Sequence, residues 1–240
     1  MRIMVSLTHS RCPMPRPEAV RGALCRIGLT LLCAIGVAGA SPSLAKSARA
    51  ATTIPLPPPV TTGGKPLMQA LAARRTTREF KGTRLPQQLL SNLLWAAFGI
   101  NRPASGGRTA PSAHDVQEIG IYVVMGDGAY LYDARRNVLR LAVPRDLRAL
   151  TGLQAFVRDA PVDLVYVADF ARFTRDSEAD KAFYSAADTG FISQNVYLFC
   201  ASEGLATMVR SYIDRPALAK AMRLAPNQRV ILAQSVGYAK

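Results

Sequence analysis

Apolar residues change their spacing several times along this chain, and each change marks an element. In LPQQLLSNLLWAAFGI, residues 85–100, Leu89, Leu93 and Ala97 form one stripe, with Leu90, Leu94 and Phe98 beside it. That spacing predicts a helix with Pro86 at its start. A shorter helical pattern begins near Lys65. EIGIYVVM (118–125) and AYLYDA (129–134) predict strands, and Gly126-Asp127-Gly128 between them is a hairpin signal. NVLRLAV (137–143) predicts a third strand, and PRDLRALTGLQAFVRDAP (144–161) one or two short helices. VDLVYVAD (162–169) is apolar almost throughout, as a strand covered on both faces must be. The longest helix is predicted from about Ser177 to Glu203. Its stretch TGFISQNVYLFCASEG is apolar on nearly every face, which predicts burial all round. Gly204 is placed to end it with a left-handed cap. EGLATMVRSYIDRP (203–216) reads as an irregular segment, PALAKAMRL as a short helix and QRVILAQSVGY as a last strand. The sum predicts an α+β fold, a small mostly antiparallel sheet flanked by helices.

The first fifty residues follow another pattern. Arginines at 2, 11, 16, 21 and 26 lead into IGLTLLCAIGVAGA, an apolar run at 27–40 that is short for a bilayer span. Ser-Leu-Ala at 43–45 and Ala-Arg-Ala at 48–50 follow. This is the layout of a secretory signal cleaved near 45–50, and it predicts a periplasmic or secreted protein that meets the membrane only through that segment. An uncleaved anchor is the alternative. Residues 51–64, ATTIPLPPPVTTGG, read as a Pro/Thr-rich linker or an arm lying on a partner. The domain proper is expected over 65–240.

Removing the leader changes the inventory. Cys12, Cys25 and Cys33 go with it, leaving Cys200 and no intramolecular disulfide. His114 becomes the only histidine. One histidine and one cysteine do not build a common zinc site, and they disfavour a histidine-based hydrolase. Of 30 basic and 16 acidic residues, 23 and 15 remain, a net of +8. The charge comes as scattered arginines, with no nucleic-acid motif. Neither GxGxxG after a strand nor GxxxxGK[ST] is present.

Three stretches carry candidate chemistry. ARRTTREF (73–80) crowds Arg74, Arg75, Thr76, Thr77 and Arg78 at a helix end, either as a solvated basic corner or as an anion site. GGRTAPSAHDVQEI (106–119) is a glycine-rich loop bearing Arg108, Thr109, Ser112, His114 and Asp115 that runs straight into a strand. EGLATMVRSYIDRP follows the longest helix and could present backbone N–H groups to a ligand.

In this order, with LLWAAFGIN, AADTGFISQNVYLFCASEGLAT and ILAQSVGY, these stretches make residues 65–240 resemble the nitroreductase-like flavoproteins. The RTAPSA…EIGIYVV segment is similar to the branch with the thiazole/oxazole-forming peptide dehydrogenases. The resemblance implies FMN, with Arg74, Thr76 and Arg78 on its phosphate and ribityl chain. Pro111, Ser112 and Ala113 would contact it from the partner subunit of a homodimer. Asp115 stands where the family often has an asparagine. A backbone N–H near Arg210 or Ser211 would face flavin N5, and Lys240 would be a basic residue near the phosphate. His114, Tyr212 and Arg210 are substrate-side candidates, and no catalytic residue is assigned. The implied activity is hydride or electron transfer between flavin and a small organic or peptide substrate, with NAD(P)H or another donor. The alternatives are a flavin-free dimer that binds a ligand or partner, and a flavin fold with a non-redox outcome.

Overall fold

The computed structural model describes residues 53–240. The predicted leader therefore lies outside the described residues. The sheet is built from β1 (Thr53–Pro55), β5 (Ile119–Met125), β6 (Gly128–Asp133), β7 (Val138–Val143), β8 (Val162–Asp169), β9 (Ala206–Arg210), β10 (Gln228–Ala239) and the two-residue β2 (Phe80–Lys81). Its order is β1-β7-β6-β5-β8-β10-β2, with β9 also paired to β10, and the pairs are antiparallel. A separate ribbon pairs β3 (Ile100–Arg102) with β4 (Gly107–Arg108), the latter inside the glycine-rich stretch read as a loop.

β8 shows why its sequence is almost continuously apolar. Val162, Leu164, Tyr166 and Ala168 face one core with α2 (Gln87–Phe98) and α3 (Glu178–Glu203). Val165 and Val167 face the other, with α4 (Arg215–Met222). Successive side chains alternate faces, so a strand covered on both sides has no polar positions to spare.

α2 begins after Pro86 and buries Leu90, Leu93, Leu94, Ala97 and Phe98. α3 is capped by Ser177, whose side chain accepts the Asp180 N–H, and ends on Gly204 at φ 72°. Only glycine occupies that left-handed cap without a Cβ penalty. Residues 144–161 form two 3₁₀ turns, Arg148–Leu150 and Ala155–Arg158, rather than α-helices. Gly152 separates them, and its backbone packs on the Arg210 side chain.

Two further expectations change. Residues 206–210 are not irregular: they form β9, whose Ala206 to Arg210 pair with Gly237 to Ala233. Strand formation there is set by a partner distant in sequence, which a five-residue run does not announce. α3 is also not buried all round within one chain. Its inner face is the stripe Ser185, Asp188, Thr189, Ile192, Ser193, Val196, Tyr197 and Cys200, while Phe183 and Phe191 are 69% and 49% exposed. Ser185, Asp188, Thr189 and Ser193 of this helix point inward, and two of its aromatic rings point to solvent.

Residues 53–60 lie on their own domain. Leu56 is buried and donates its N–H to Asn137 O, Ser91 Oγ donates to Pro57 O, and Val60 N–H donates to Asn92 Oδ1.

Candidate functional site

α1 (Leu67–Ala73) stops because Arg74 takes an extended ψ of 123°. The chain then runs alongside β9, with the Thr77 N–H donating to Thr207 O at 3.0 Å. Tyr197 of α3 sits beneath this segment. Its hydroxyl accepts the Val209 N–H at 3.1 Å and lies 3.1 Å from Thr76 Oγ1. The Arg74 guanidinium stands 5.3 Å from the centre of the Tyr197 ring, within cation–π range. One buried phenol thus ties together the arginine segment, the long helix and β9.

Arg74, Arg75 and Arg78 form no ion pair among the described residues. Arg75 and Thr77 line a cleft of about 160 Å³ with Tyr197, Gly204, Thr207 and Ala239. Pairing of Ala239 with Phe80 brings in Lys240, whose N–H donates to Glu79 O at 3.4 Å. Lys240 Nζ is 3.9 Å from Asp159 Oδ2 at the surface. Cationic groups gathered with few carboxylates suit an anion whose oxygens accept several donors at once.

The second stretch is a tightly wound loop. His114, Asp115 and Gln117 all have positive φ, between 51° and 53°. Residues with a Cβ seldom take that conformation, and three within four positions must be held by their surroundings. The holding contacts are visible: Ala113 N–H donates to Asp188 Oδ2 at 2.9 Å, and Gln117 N–H to Ser112 Oγ at 2.8 Å. Asp115 Oδ1 accepts from Gln117 Nε2 at 2.9 Å. His114 lies edge-on to Tyr184 and 3.8 Å from Asp176. Behind the loop, Glu118 is 2% exposed and its Oε1 has no partner, as is true of Ser185 Oγ and Thr189 Oγ1. Burial, and then the neighbouring Asp188, push the Glu118 carboxyl above its usual range.

Pro111, Ser112 and Asp115 line a cleft of about 380 Å³ with Arg102, Gly107 and Gln117. This cleft shares no lining residue with the one at Arg75 and Thr77. Within one chain the two candidate stretches therefore serve separate clefts.

The third stretch has a structural anchor. The Arg210 side chain is buried, its Nη2 2.8 Å from Asp163 Oδ1 and 2.6 Å from Thr151 Oγ1, its Nη1 2.7 Å from Ser235 Oγ. Burial raises the Asp163 carboxyl, and the Arg210 charge works against that rise. The Arg210 guanidinium is thus committed inside the fold, while Ser211 and Tyr212 are exposed just beyond β9. Tyr212 O accepts the Leu153 N–H at 3.1 Å. Next to it, Gln154 Oε1 is buried without a partner.

Sequence reasoning missed Tyr197, Asp163 and Gln154 as parts of these sites. Tyr197 read as core of an apolar helix, and its polar contacts join segments far apart in sequence.

The profile of the nitroreductase family matches residues 71–238. A nitroreductase from Ralstonia eutropha JMP134, provisionally so assigned in its crystal structure, is 44% identical, with a TM-score of 0.76 over 78% of this chain and 90% of that one. MJ1384 of Methanocaldococcus jannaschii, also provisionally assigned as a nitroreductase, is 33% identical over 59% of this chain and 76% of that protein. A chain of the Escherichia coli microcin synthetase McbBCD complex shares the fold at 18% identity and a TM-score of 0.61, over 88% of this chain and 85% of that one. Because the profile spans most of the chain, the chain belongs to the nitroreductase family.

Proposed function

We propose that the protein is an FMN-dependent oxidoreductase that works as a homodimer on a small organic or peptide substrate. Members of its family typically bind FMN. The observation that carries the reading is the set of arginines at 74, 75 and 78, without carboxylate partners among the described residues, on a segment that Arg74 and Thr76 tie to Tyr197 and the Thr77 N–H ties to β9. Arg74, Arg78 and Lys240 would hold the phosphate, with Thr76 as a neutral donor oriented by Tyr197. The buried, unpartnered Gln154 Oε1 is a further acceptor that a flavin ring could satisfy. The residues present fit the cofactor on these counts.

FMN, when bound, supplies a two-electron carrier for hydride exchange. The chain supplies position and shielding. The anchored end of β9 fixes where the Arg210 and Ser211 backbone lies. The wound loop at Pro111, Ser112 and Ala113 would cover the cofactor held by the other subunit, which accounts for the separate clefts of one chain. The exposed Phe183 and Phe191 on α3 are the apolar surface that such a dimer would cover. The leader pattern adds export to the proposal, and outside the cytoplasm the electron donor need not be NAD(P)H.

Asp115 favours a second reading, a dimer that has given up flavin and binds another ligand. Its carboxylate accepts from Gln117 Nε2 and cannot donate to a ring carbonyl as an asparagine would. The visible absorption spectrum of the purified protein separates the two. One FMN per chain, released and identified by mass, supports the oxidoreductase. A colourless protein that takes up no added FMN supports the second reading.

A further inference from the structure

A third cleft, of about 290 Å³, opens at the other end of β10 from Lys240 and includes Gln228 in its lining. β10 runs from Gln228 to Ala239, so its ends are roughly 35 Å apart at about 3.3 Å per residue. A small ligand in this cleft cannot touch the Arg74–Arg78 segment of the same chain.

Four arginines line the cleft: Arg108, Arg135, Arg140 and Arg172. Its carboxyls are Glu118, Asp133 and Asp169. Glu118 accepts from Ser112, and burial holds its pKa up. Asp133 accepts the Arg135 and Arg136 backbone N–H groups, and Asp169 accepts the Ala171 N–H and the Asn227 amide. Among the described residues, Arg140 alone of the four has a carboxylate within 4 Å, Asp133 at 3.9 Å, and Arg108, Arg135 and Arg172 have none.

Arg108 is the built element. Its Nε donates to Gln117 Oε1 at 2.7 Å and its Nη1 to Phe98 O at 2.8 Å, with the guanidinium 4.4 Å from the centre of the Phe98 ring. Those contacts fix the fork and leave Nη2 without an acceptor among the described residues. Burial lowers the Arg108 pKa, and the like charges of Arg172 and Arg135 lower it further. A fixed guanidinium kept near two others is costly unless an anion joins them.

We propose that this cleft binds a small polyanion, of the size of a tricarboxylate or a pyrophosphate, between Arg108, Arg135 and Arg172. The site does not include the Arg74–Arg78 cluster; Arg108 and Gln117 form its wall toward the Pro111–Ser112 loop and line the cleft there as well. Tyr122 and Tyr132 form part of the wall, so an aromatic or planar body on the anion would also be accommodated.

The test is calorimetric titration with tricarballylate and, separately, pyrophosphate. It uses protein carrying Arg74→Gln, Arg75→Gln and Arg78→Gln, so that the arginines of the other cluster contribute nothing. Binding is expected, and adding Arg135→Gln with Arg172→Gln should weaken it by at least about tenfold. Removing two exposed arginines outside the cleft, Arg136→Gln with Arg145→Gln, should leave it within about twofold. Binding of one probe alone supports the site and names carboxylate or phosphate as the ligand's chemistry. No binding of either, or equal weakening by both arginine pairs, overturns it. In the unmutated protein, the probe that binds should protect Arg135 and Arg172, but not Arg136, from phenylglyoxal as read by mass spectrometry. Equal modification with and without that probe overturns the proposal independently of any variant.

Discussion

Arg210 Nη2 lies 2.8 Å from Asp163 Oδ1, with the two side chains only 1% and 0% exposed. This pair joins β8 to β9, and Thr151 and Ser235 complete it. Removing one partner strands the other charge in the core. Arg210→Ala is therefore expected to cost about 3–5 kcal/mol, whereas Arg210→Met with Asp163→Leu should cost much less. Chemical denaturation of the two variants checks this. A single variant as stable as the parent would mean that water reaches the pair.

Tyr197 makes a smaller but sharper prediction. Tyr197→Phe keeps the ring under Arg74 and removes the hydroxyl that the Val209 N–H and Thr76 use. A loss of about 1–2 kcal/mol is expected. If the phosphate-grip reading is right, FMN also dissociates faster, and flavin fluorescence on dilution reads that rate.

Arg74→Ala with Arg78→Ala is predicted to abolish flavin retention and to leave the fold and the proposed dimer unchanged, since both side chains lack ionic partners among the described residues. The FMN-to-protein absorbance ratio after gel filtration measures it, and a full complement of FMN would remove the arginine segment from the site. Asp115→Asn should bind FMN more tightly, because the amide donates where the carboxylate cannot. Weaker binding would assign the carboxylate a positive role.

Glu118 gives a pH dependence of definite sign. Its carboxyl sits above the ordinary 4.5 in the folded state because burial and Asp188 disfavour the charge. The folded chain therefore holds this proton more firmly than the unfolded one. The stability it contributes is complete below 4.5 and declines as pH rises through the raised value. Glu118→Gln should flatten that decline. Denaturation curves for both proteins from pH 4 to 8 would show it, and parallel curves would mean that Glu118 does not titrate differently on folding.

Phe183→Ser with Phe191→Ser should shift the proposed dimer to monomer in light scattering while leaving the monomer folded, since both rings are exposed and lie outside the buried stripe of α3. An intact dimer would place the subunit contact elsewhere.

Period and punctuation were enough to read most of the sheet. β5, β6, β7, β8 and β10 each carry a run of apolar residues bounded by turn residues, and Gly126 and Asp127 supply the hairpin between β5 and β6. β9 was not legible, because five residues after a helix become a strand only through β10. The inward-facing polar side of α3 was missed for a related reason. Asp188 is buried against a loop that precedes it by some seventy residues, as the Ala113–Asp188 bond shows. The arginine segment and the wound loop stood out as chemistry, but not their separation into two clefts, which depends on three-dimensional placement alone.

The short strand β1 has a practical consequence. Thr53, Ile54 and Pro55 cover half of β7, pairing with Arg140, Leu139 and Val138. The prolines at 55, 57, 58 and 59 offer no N–H to a further strand. A chain trimmed to begin at Lys65, where the helical pattern starts, would uncover the backbone groups of β7 and the apolar face of Leu139. It would present an open template for strand addition, and such a truncation is expected to aggregate where the longer one stays in solution.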